Sequence, residues 1–471
     1  MTTAWDSLLT SAFDDPAGRL TEVSVEEREL DGGPIGLVRL RFTAEDLRGE
    51  TYEARAKLFL PADPMTGQGD RLPVWFNCGY ELTDALASER VRRGWIVVTP
   101  CDPEEDEVFP FHNPLCRGPN TDYVLAHMVR ALQFVDPAAI VYSGGSAGGY
   151  AALLVAAEAF PAGAVAANAP VVNLAYEGAY MMDNCPRIAA EPPAEHPFMG
   201  VLMGVFLPFI DKGWRRTYGM DVGAPAWWQH SPVAHVDRIT CPVAATFSTA
   251  DFLVPLEQVG TAFADEGTAH APKGVVRAPA DLTDASGAAV RLLDVLGDSA
   301  DVRILPVPAG ATELDLADID FTMSRPQAAI PVPSRTADAE QWLIVVVDEG
   351  PPVMGMGHTR HGMQPDFDPF AQEALAAGPT VDQLTTDKLE QLLARWSGQE
   401  WLAPGFHHLD RAGAERADVE RGLRLYCGIS PGHARRFEQL YLDLDETRRL
   451  LPEALVSDLT GPAGDVLVRR P

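Results

Sequence analysis

Short apolar runs recur along the middle of the chain: Pro73–Asn77, Trp95–Thr99, Ala139–Ser143, Ala164–Ala169, Val243–Ser248 and Trp342–Val347. They show no polar alternation, as expected of strands buried on both faces. Between the first few lie Leu82–Arg93 and Thr121–Val135, whose mixed apolar and polar positions suit helices. Strands of this kind separated by helices predict a parallel sheet covered on both sides. Upstream the pattern differs. Leu37–Phe42 alternates apolar with polar, the mark of a half-exposed strand. Glu22–Glu27 and Thr51–Leu60 are also extended in character. Turn residues at Asp31–Pro34 and Ala62–Pro64 punctuate these segments, so an antiparallel entry to a larger sheet is expected. Residues 4–13 suit a short amphipathic helix within an N-terminal segment, 1–20.

Three stretches fall outside the repeating unit. Residues 171–230 interrupt the path between two core strands and concentrate Tyr180, Met181, Phe198, Met199, Phe206, Trp227 and Trp228. They are expected to form an insertion with a small core of its own, a cap over the site, or both. Residues 266–340 are rich in Pro, Ala and Asp and poorly periodic, which predicts an insertion. The last hundred residues, 371–471, are expected to be a helical extension, with Leu389, Leu392, Leu393 and Trp396 at helical spacing. The core then comprises 21–170 and 231–370.

Composition narrows the class. The apolar fraction of 46% over 471 residues suits a globular protein with one large core or two domains. A formal net charge of −30 disfavours nucleic acid and anionic membranes as partners. The N-terminal residues have no basic region followed by an apolar run, so no secretory signal is expected. Six cysteines are scattered with no C-x-x-C pair, as in free thiols of a reducing, cytoplasmic compartment. Neither a metal nor another cofactor is expected.

Candidate chemistry gathers after the strand Ala139–Ser143. Gly144-Gly145-Ser146-Ala147-Gly148 fits G-x-S-x-G, in which a strained strand-to-helix turn lifts a serine hydroxyl above a sheet. Gly144, Gly148 and Gly149 give strand and helix room to approach. A serine needs a base to take its proton and a carboxylate to orient that base. Asp251 follows the strand Val243–Ser248 and is the candidate acid, although Asp in such a turn also serves the turn itself. Beyond the strand Trp342–Val347, a glycine-rich loop holds His358 and His361. His358 lies nearer the strand and is the first candidate base, with His361 the alternative. Two backbone donors for an oxyanion are expected at Ala147, directly after the serine, and at Tyr80, where Gly79 lets the chain turn. His407 and His408 are adjacent and are expected to be ordinary polar residues.

Several of these stretches are similar to a known group. Val135–Tyr150, containing the Ser146 turn, resembles the nucleophile elbow of the prolyl-oligopeptidase-like branch of the α/β-hydrolase superfamily, and that of acetylxylan esterases. Ser231–Val243, running into Asp251–Pro255, resembles those families' approach to the acid, and Cys78-Gly79-Tyr80 resembles their oxyanion turn, where histidine is usual at position 78. The resemblance implies an α/β-hydrolase fold: a mostly parallel central sheet with helices on both faces, a cap insertion and an extra C-terminal helical region. It implies Ser146, Asp251 and His358 as a triad, with Tyr80 and Ala147 as oxyanion donors. The separation of Asp251 from His358 is longer than those families show. A long N-terminal region for a β-propeller and a paired-glutamate clamp for a peptide N-terminus are both missing from the pattern. The expected activity is therefore hydrolysis of a small or medium carboxylic ester through an acyl-enzyme. Acyl transfer or cyclisation, peptide hydrolysis, and ligand binding without catalysis are the alternatives. The oligomeric state is not legible.

Overall fold

The computed structural model describes residues 19–61, 71–101, 114–181, 207–260, 291–306, 328–333, 341–348 and 363–377, with short gaps inside these stretches. The expected helix at 4–13 and most of the expected C-terminal extension, including Leu389–Trp396, lie outside the described residues.

A 10-stranded sheet organises the chain, in the order β1-β2-β3-β5-β4-β6-β7-β8-β11-β9. The first three strands are β1 (Leu20–Leu30), β2 (Gly33–Glu45) and β3 (Thr51–Pro61). They pair antiparallel, and β3 joins β5 (Ile96–Pro100) antiparallel as well. From there every neighbouring pair is parallel: β5 with β4 (Leu72–Asn77), then β6 (Val135–Gly145), β7 (Ala164–Asn168), β8 (Val243–Ser248), β11 (Trp342–Asp348) and β9 (Ala300–Pro306). The strand order reverses at β4, which has β5 on one side and β6 on the other. Ligand sites in open parallel sheets lie at such a reversal, beyond the C-terminal strand ends.

The apolar runs produce this sheet because both faces are buried. Along β11, Trp342, Ile344 and Val346 join one hydrophobic cluster, while Leu343 and Val345 join the other. The first cluster includes residues of α2 (Asn120–Arg130) and α3 (Ala147–Glu158). The second includes Ala87 and Val91 of α1 (Asp84–Arg92) and Phe370, Ala371 and Ala374 of α6 (Asp368–Ala377). Helices thus cover both faces, and period-two alternation assigns each side chain to one of them. Helix α3 is apolar nearly all round, and Tyr150–Val155 are wholly buried, as a helix packed inside a three-layer structure should be.

Helix α6 runs across residue 370, where the core and the C-terminal extension were expected to meet. Its Asp368 is paired with Arg90 of α1 and with Arg93, the residue that ends that helix, and the Arg90 guanidinium lies 3.8 Å from the Trp75 ring centre. Burial lowers the Arg90 pKa to about 10.

Within 266–340, β9 adds an edge strand to the main sheet, and β10 (Ala328–Pro331) pairs in parallel with β12 (Met363–Asp366) in a separate two-stranded sheet. The insertion at 171–230 is described in two parts: a helix over 174–181, named α4, and α5 (Leu207–Tyr218). Their aromatic residues do not stand apart. Tyr176, Tyr180, Trp214, Tyr218 and Trp227 belong to the same cluster as the sheet. Trp214 and Trp227 meet edge to face at 6.1 Å, and the Tyr218 hydroxyl donates to Leu115 O at 2.9 Å. Among the described residues, no helix is long and apolar enough to cross a membrane.

Candidate active site

Ser146 stands between the end of β6 and the start of α3 with φ +54°, one of two non-glycine residues with positive φ among those described. A left-handed serine is strained, and the surrounding structure holds it there. Its N–H donates to Asn168 O at 2.8 Å, and its carbonyl accepts the first helical bond, from Tyr150 N at 3.0 Å. The Thr246 hydroxyl donates to the Asn168 side-chain oxygen at 2.8 Å, so β7 ties the elbow to β8.

The glycines around Ser146 serve close approach. A Cβ on Gly144 would lie 2.5 Å from Gly148 O and 2.9 Å from Gly149 N. One on Gly148 would collide with Cys78 O and come within 3.3 Å of the Tyr80 ring. One on Gly145 would meet nothing nearer than 3.8 Å. Strand, helix and the turn after β4 therefore touch backbone to backbone at the reversal of the sheet.

That turn is heavily bonded. Cys78 N donates to Ser143 O at 2.6 Å, which joins it to β6 just before the elbow. Gly79 has φ +81°, and a Cβ there would lie 2.6 Å from Gly148 Cα. The Gly79 N–H points to Asp122 of α2, 3.2 Å from each carboxylate oxygen. Tyr80 O accepts from Asn77 Nδ2 at 2.6 Å and from the Thr99 hydroxyl at 3.0 Å. Tyr80 N, expected to face an oxyanion, donates to Cys78 O at 3.0 Å within the turn. Ala147 is buried at the start of α3. Cys78 is also buried; burial, then the Asp122 charge, push its thiol well above the ordinary range, which makes it a poor nucleophile.

Asp251 follows β8, two strands from the serine. The register aligns Gly145 with Asn168, and Asn168 with Thr246, so Ser146 and Asp251 share the C-terminal edge of the sheet. Asp251 Oδ1 accepts from Leu253 N at 2.9 Å and Val254 N at 3.0 Å, which fixes its turn. His358 and His361 lie outside the described residues; β11, which precedes their loop, pairs with β8 on the same side of the sheet.

A buried acid that the pattern did not single out accompanies Asp251. Glu177, on α4, is 1% exposed, and its Oε2 accepts from Gln258 Nε2 at 3.1 Å. The other end of that amide accepts from Val172 N at 2.8 Å and Asn173 N at 3.1 Å. Asn173 Oδ1 caps α4 by accepting from Tyr176 N at 2.9 Å. Gln258 thus staples the segment after Asp251 to the segment after β7. Burial, then the charge of Asp251, raise the Glu177 carboxyl well above the carboxylate range, against the bond from Gln258. The one available signal was its place as the single acid in the apolar run Leu174–Met182. Among the described residues, no group of three or more His, Cys, Asp or Glu is placed to hold a metal.

The strand order, the reversal at β4 and the left-handed serine between β6 and α3 define an α/β-hydrolase fold. No protein-family model matches the chain, and no curated protein matches it. Solved structures similar to it include acetyl xylan esterase 1 from Thermoanaerobacterium sp. JW/SL YS485, at 17% identity over 53% of this chain and 80% of that one, with a TM-score of 0.33. The acetyl xylan esterase from Paenibacillus sp. R4 is 14% identical over 53% of this chain and 79% of that one, with a TM-score of 0.34. Pyrococcus horikoshii acylaminoacyl peptidase is 14% identical over 57% of this chain and 37% of that one, with a TM-score of 0.33.

Proposed function

We propose that the chain is a serine hydrolase that cleaves a carboxylic ester of a small or medium organic substrate, with no cofactor. The observation that carries this reading is Ser146, held at φ +54° above the C-terminal edge of the sheet, beside the turn that contains Gly79 and Tyr80. Strain of that kind needs a reason, and projecting a hydroxyl toward a reacting carbonyl supplies one.

The steps follow from the side chains. His358, or His361 in its place, takes the Ser146 proton, and Asp251 orients the imidazole and stabilises its cation. Ser146 Oγ adds to the ester carbonyl, and the N–H of Ala147 and that of Tyr80 receive the developing oxyanion. The Tyr80 N–H donates to Cys78 O at 3.0 Å, so serving the oxyanion requires it to share or exchange that bond. The imidazolium gives its proton to the departing alcohol and leaves an acyl-serine. Water, deprotonated by the same histidine, then releases the acid.

Ser146→Ala is expected to lower turnover of 4-nitrophenyl acetate by on the order of 10⁶-fold if the three residues act as a unit. A fluorophosphonate probe is expected to label the wild type at Ser146, as read by mass spectrometry. Unchanged hydrolysis in the Ser146→Ala variant would overturn the reading. Preferential cleavage of aminoacyl anilides would replace the ester with a peptide.

A further inference from the structure

Asp122 is not among the residues that the reaction above requires. It is 2% exposed, on the first turn of α2, with its carboxylate pointed at the turn that follows β4. Gly79 N–H is its hydrogen-bond partner among the described residues, shared between Oδ1 and Oδ2 at 3.2 Å each. Around it lie the Cys78 thiol from that turn and the Tyr52 phenol from β3, which hydrogen-bonds Thr121 and carries the Arg117 guanidinium on its ring. None of these donates a hydrogen bond to the carboxylate. A buried carboxylate with one backbone donor is costly to keep, and a neutral residue would fill the space at less cost.

The bond it makes explains what it holds. Gly79 is left-handed, and its Cα side lies against Gly148, so the turn has no slack toward the elbow. Cys78 N is fixed by β6, and Tyr80 O by Asn77 and Thr99. The peptide between Cys78 and Gly79 lies between these anchors: Asp122 holds its N–H, and its carbonyl, Cys78 O, accepts from Tyr80 N at 3.0 Å. Losing that bond lets the Cys78–Gly79 peptide rotate, and the Tyr80 N–H turns with it.

We infer that Asp122 is a positioning residue for the oxyanion turn: its carboxylate grips the Gly79 N–H and so holds the turn that carries the Tyr80 N–H in place beside the elbow. The inference rests on the serine-hydrolase reading. Burial raises the Asp122 carboxyl to about 7, against the Gly79 N–H, which lowers it. The grip is therefore strong above neutrality and weakens as pH falls through that range.

The test uses the full chain with Asp122→Asn, Asp122→Ala and Ser146→Ala. The second-order rate of fluorophosphonate labelling and the kcat and KM for 4-nitrophenyl acetate are measured from about pH 5 to pH 9. Losing one oxyanion donor costs about 10²–10³-fold in kcat, so Asp122→Ala is expected to lose about 10²-fold with KM little changed. Asp122→Asn, which keeps an acceptor without its charge, is expected to lose about tenfold at high pH. The ratio of wild type to Asp122→Asn is expected to shrink as pH falls below 7, because wild type then becomes neutral at the same site. A merely structural role leaves that ratio constant, and a constant ratio overturns the inference, as does Asp122→Asn at the wild-type rate throughout. If neither variant folds, the wild type decides. A labelling rate that falls more steeply than about one decade per pH unit below neutrality reports a second essential group besides the histidine, whereas a single decade overturns the inference. Labelling or hydrolysis that survives in Ser146→Ala rejects the hydrolase reading itself, whatever Asp122 does.

Discussion

The glycines at 144 and 145 offer a paired test of how the elbow is built. They are adjacent in sequence and differ only in what a methyl group would meet. At 144 it would lie 2.5 Å from Gly148 O and 2.9 Å from Gly149 N, both backbone atoms of the helix that begins after the serine. Relief requires the start of α3 to move by about 1 Å to restore ordinary contact, and a 1 Å misplacement of reacting groups costs about 10²-fold in rate. Overpacking of this kind also destabilises by about 1–3 kcal/mol. At 145 the nearest atom would be Asn168 Nδ2, at 3.8 Å, and the backbone is not left-handed. Gly145→Ala is therefore expected to keep the wild-type rate within about twofold and to gain up to about 1 kcal/mol by restricting the unfolded chain. Fluorophosphonate labelling rates and thermal midpoints of the two variants decide the matter. If Gly145→Ala is as damaging as Gly144→Ala, or if Gly144→Ala labels at the wild-type rate, close backbone approach is not what the elbow requires.

Two further outcomes follow from buried charge. The Glu177 carboxyl is raised in the folded state, so its contribution to stability is full below the unfolded pKa and is lost as pH rises through the folded one. Glu177→Gln removes that loss, so its midpoint is expected to gain on the wild type between about pH 5 and pH 8, by calorimetry; equal shifts at both pH values would refute this. Asp368→Ala strips the carboxylate partner from the largely buried Arg90, while Arg93 keeps Glu89 and Asp366, and breaking a buried pair costs about 3–5 kcal/mol. It is expected to lower the denaturant midpoint of the whole transition, because α6 is part of the core face that α1 covers; a separate early transition with the main midpoint unmoved would show that α6 melts on its own.

The sheet was legible because its strands are buried on both faces, and apolar runs such as Trp342–Val347 leave no competing period. The antiparallel entry was legible for the complementary reason, since β2 keeps alternation in its outer half, from Arg39 to Glu45. Strand β9 was not. Ala300–Pro306 does alternate, with Asp301 and Arg303 bonded to each other, but it is a half-exposed edge inside a stretch dominated by Pro, Ala and Asp. Its identity as a strand comes from β11, which supplies a partner along its whole length. The acids divide in the same way. Asp251 stands after a strand, where position alone marks it. Asp122 and Glu177 sit inside helices, and only the turn or amide that each one meets, from 43 and 81 residues away, gives it a role.

The elbow itself shows what a motif conveys and what it leaves out. G-x-S-x-G reads as a strained serine turn whose glycines give strand and helix room to approach. In the fold the strained residue is the serine, and Gly144 and Gly148 are not left-handed at all. They are glycines because Gly144 faces the backbone of α3, and Gly148 faces the carbonyl of Cys78. The pattern is thus a record of three backbones meeting at one point: β6, α3 and the turn after β4. The same turn, pressed against Gly148 on one side, gives its Gly79 N–H to Asp122 of α2.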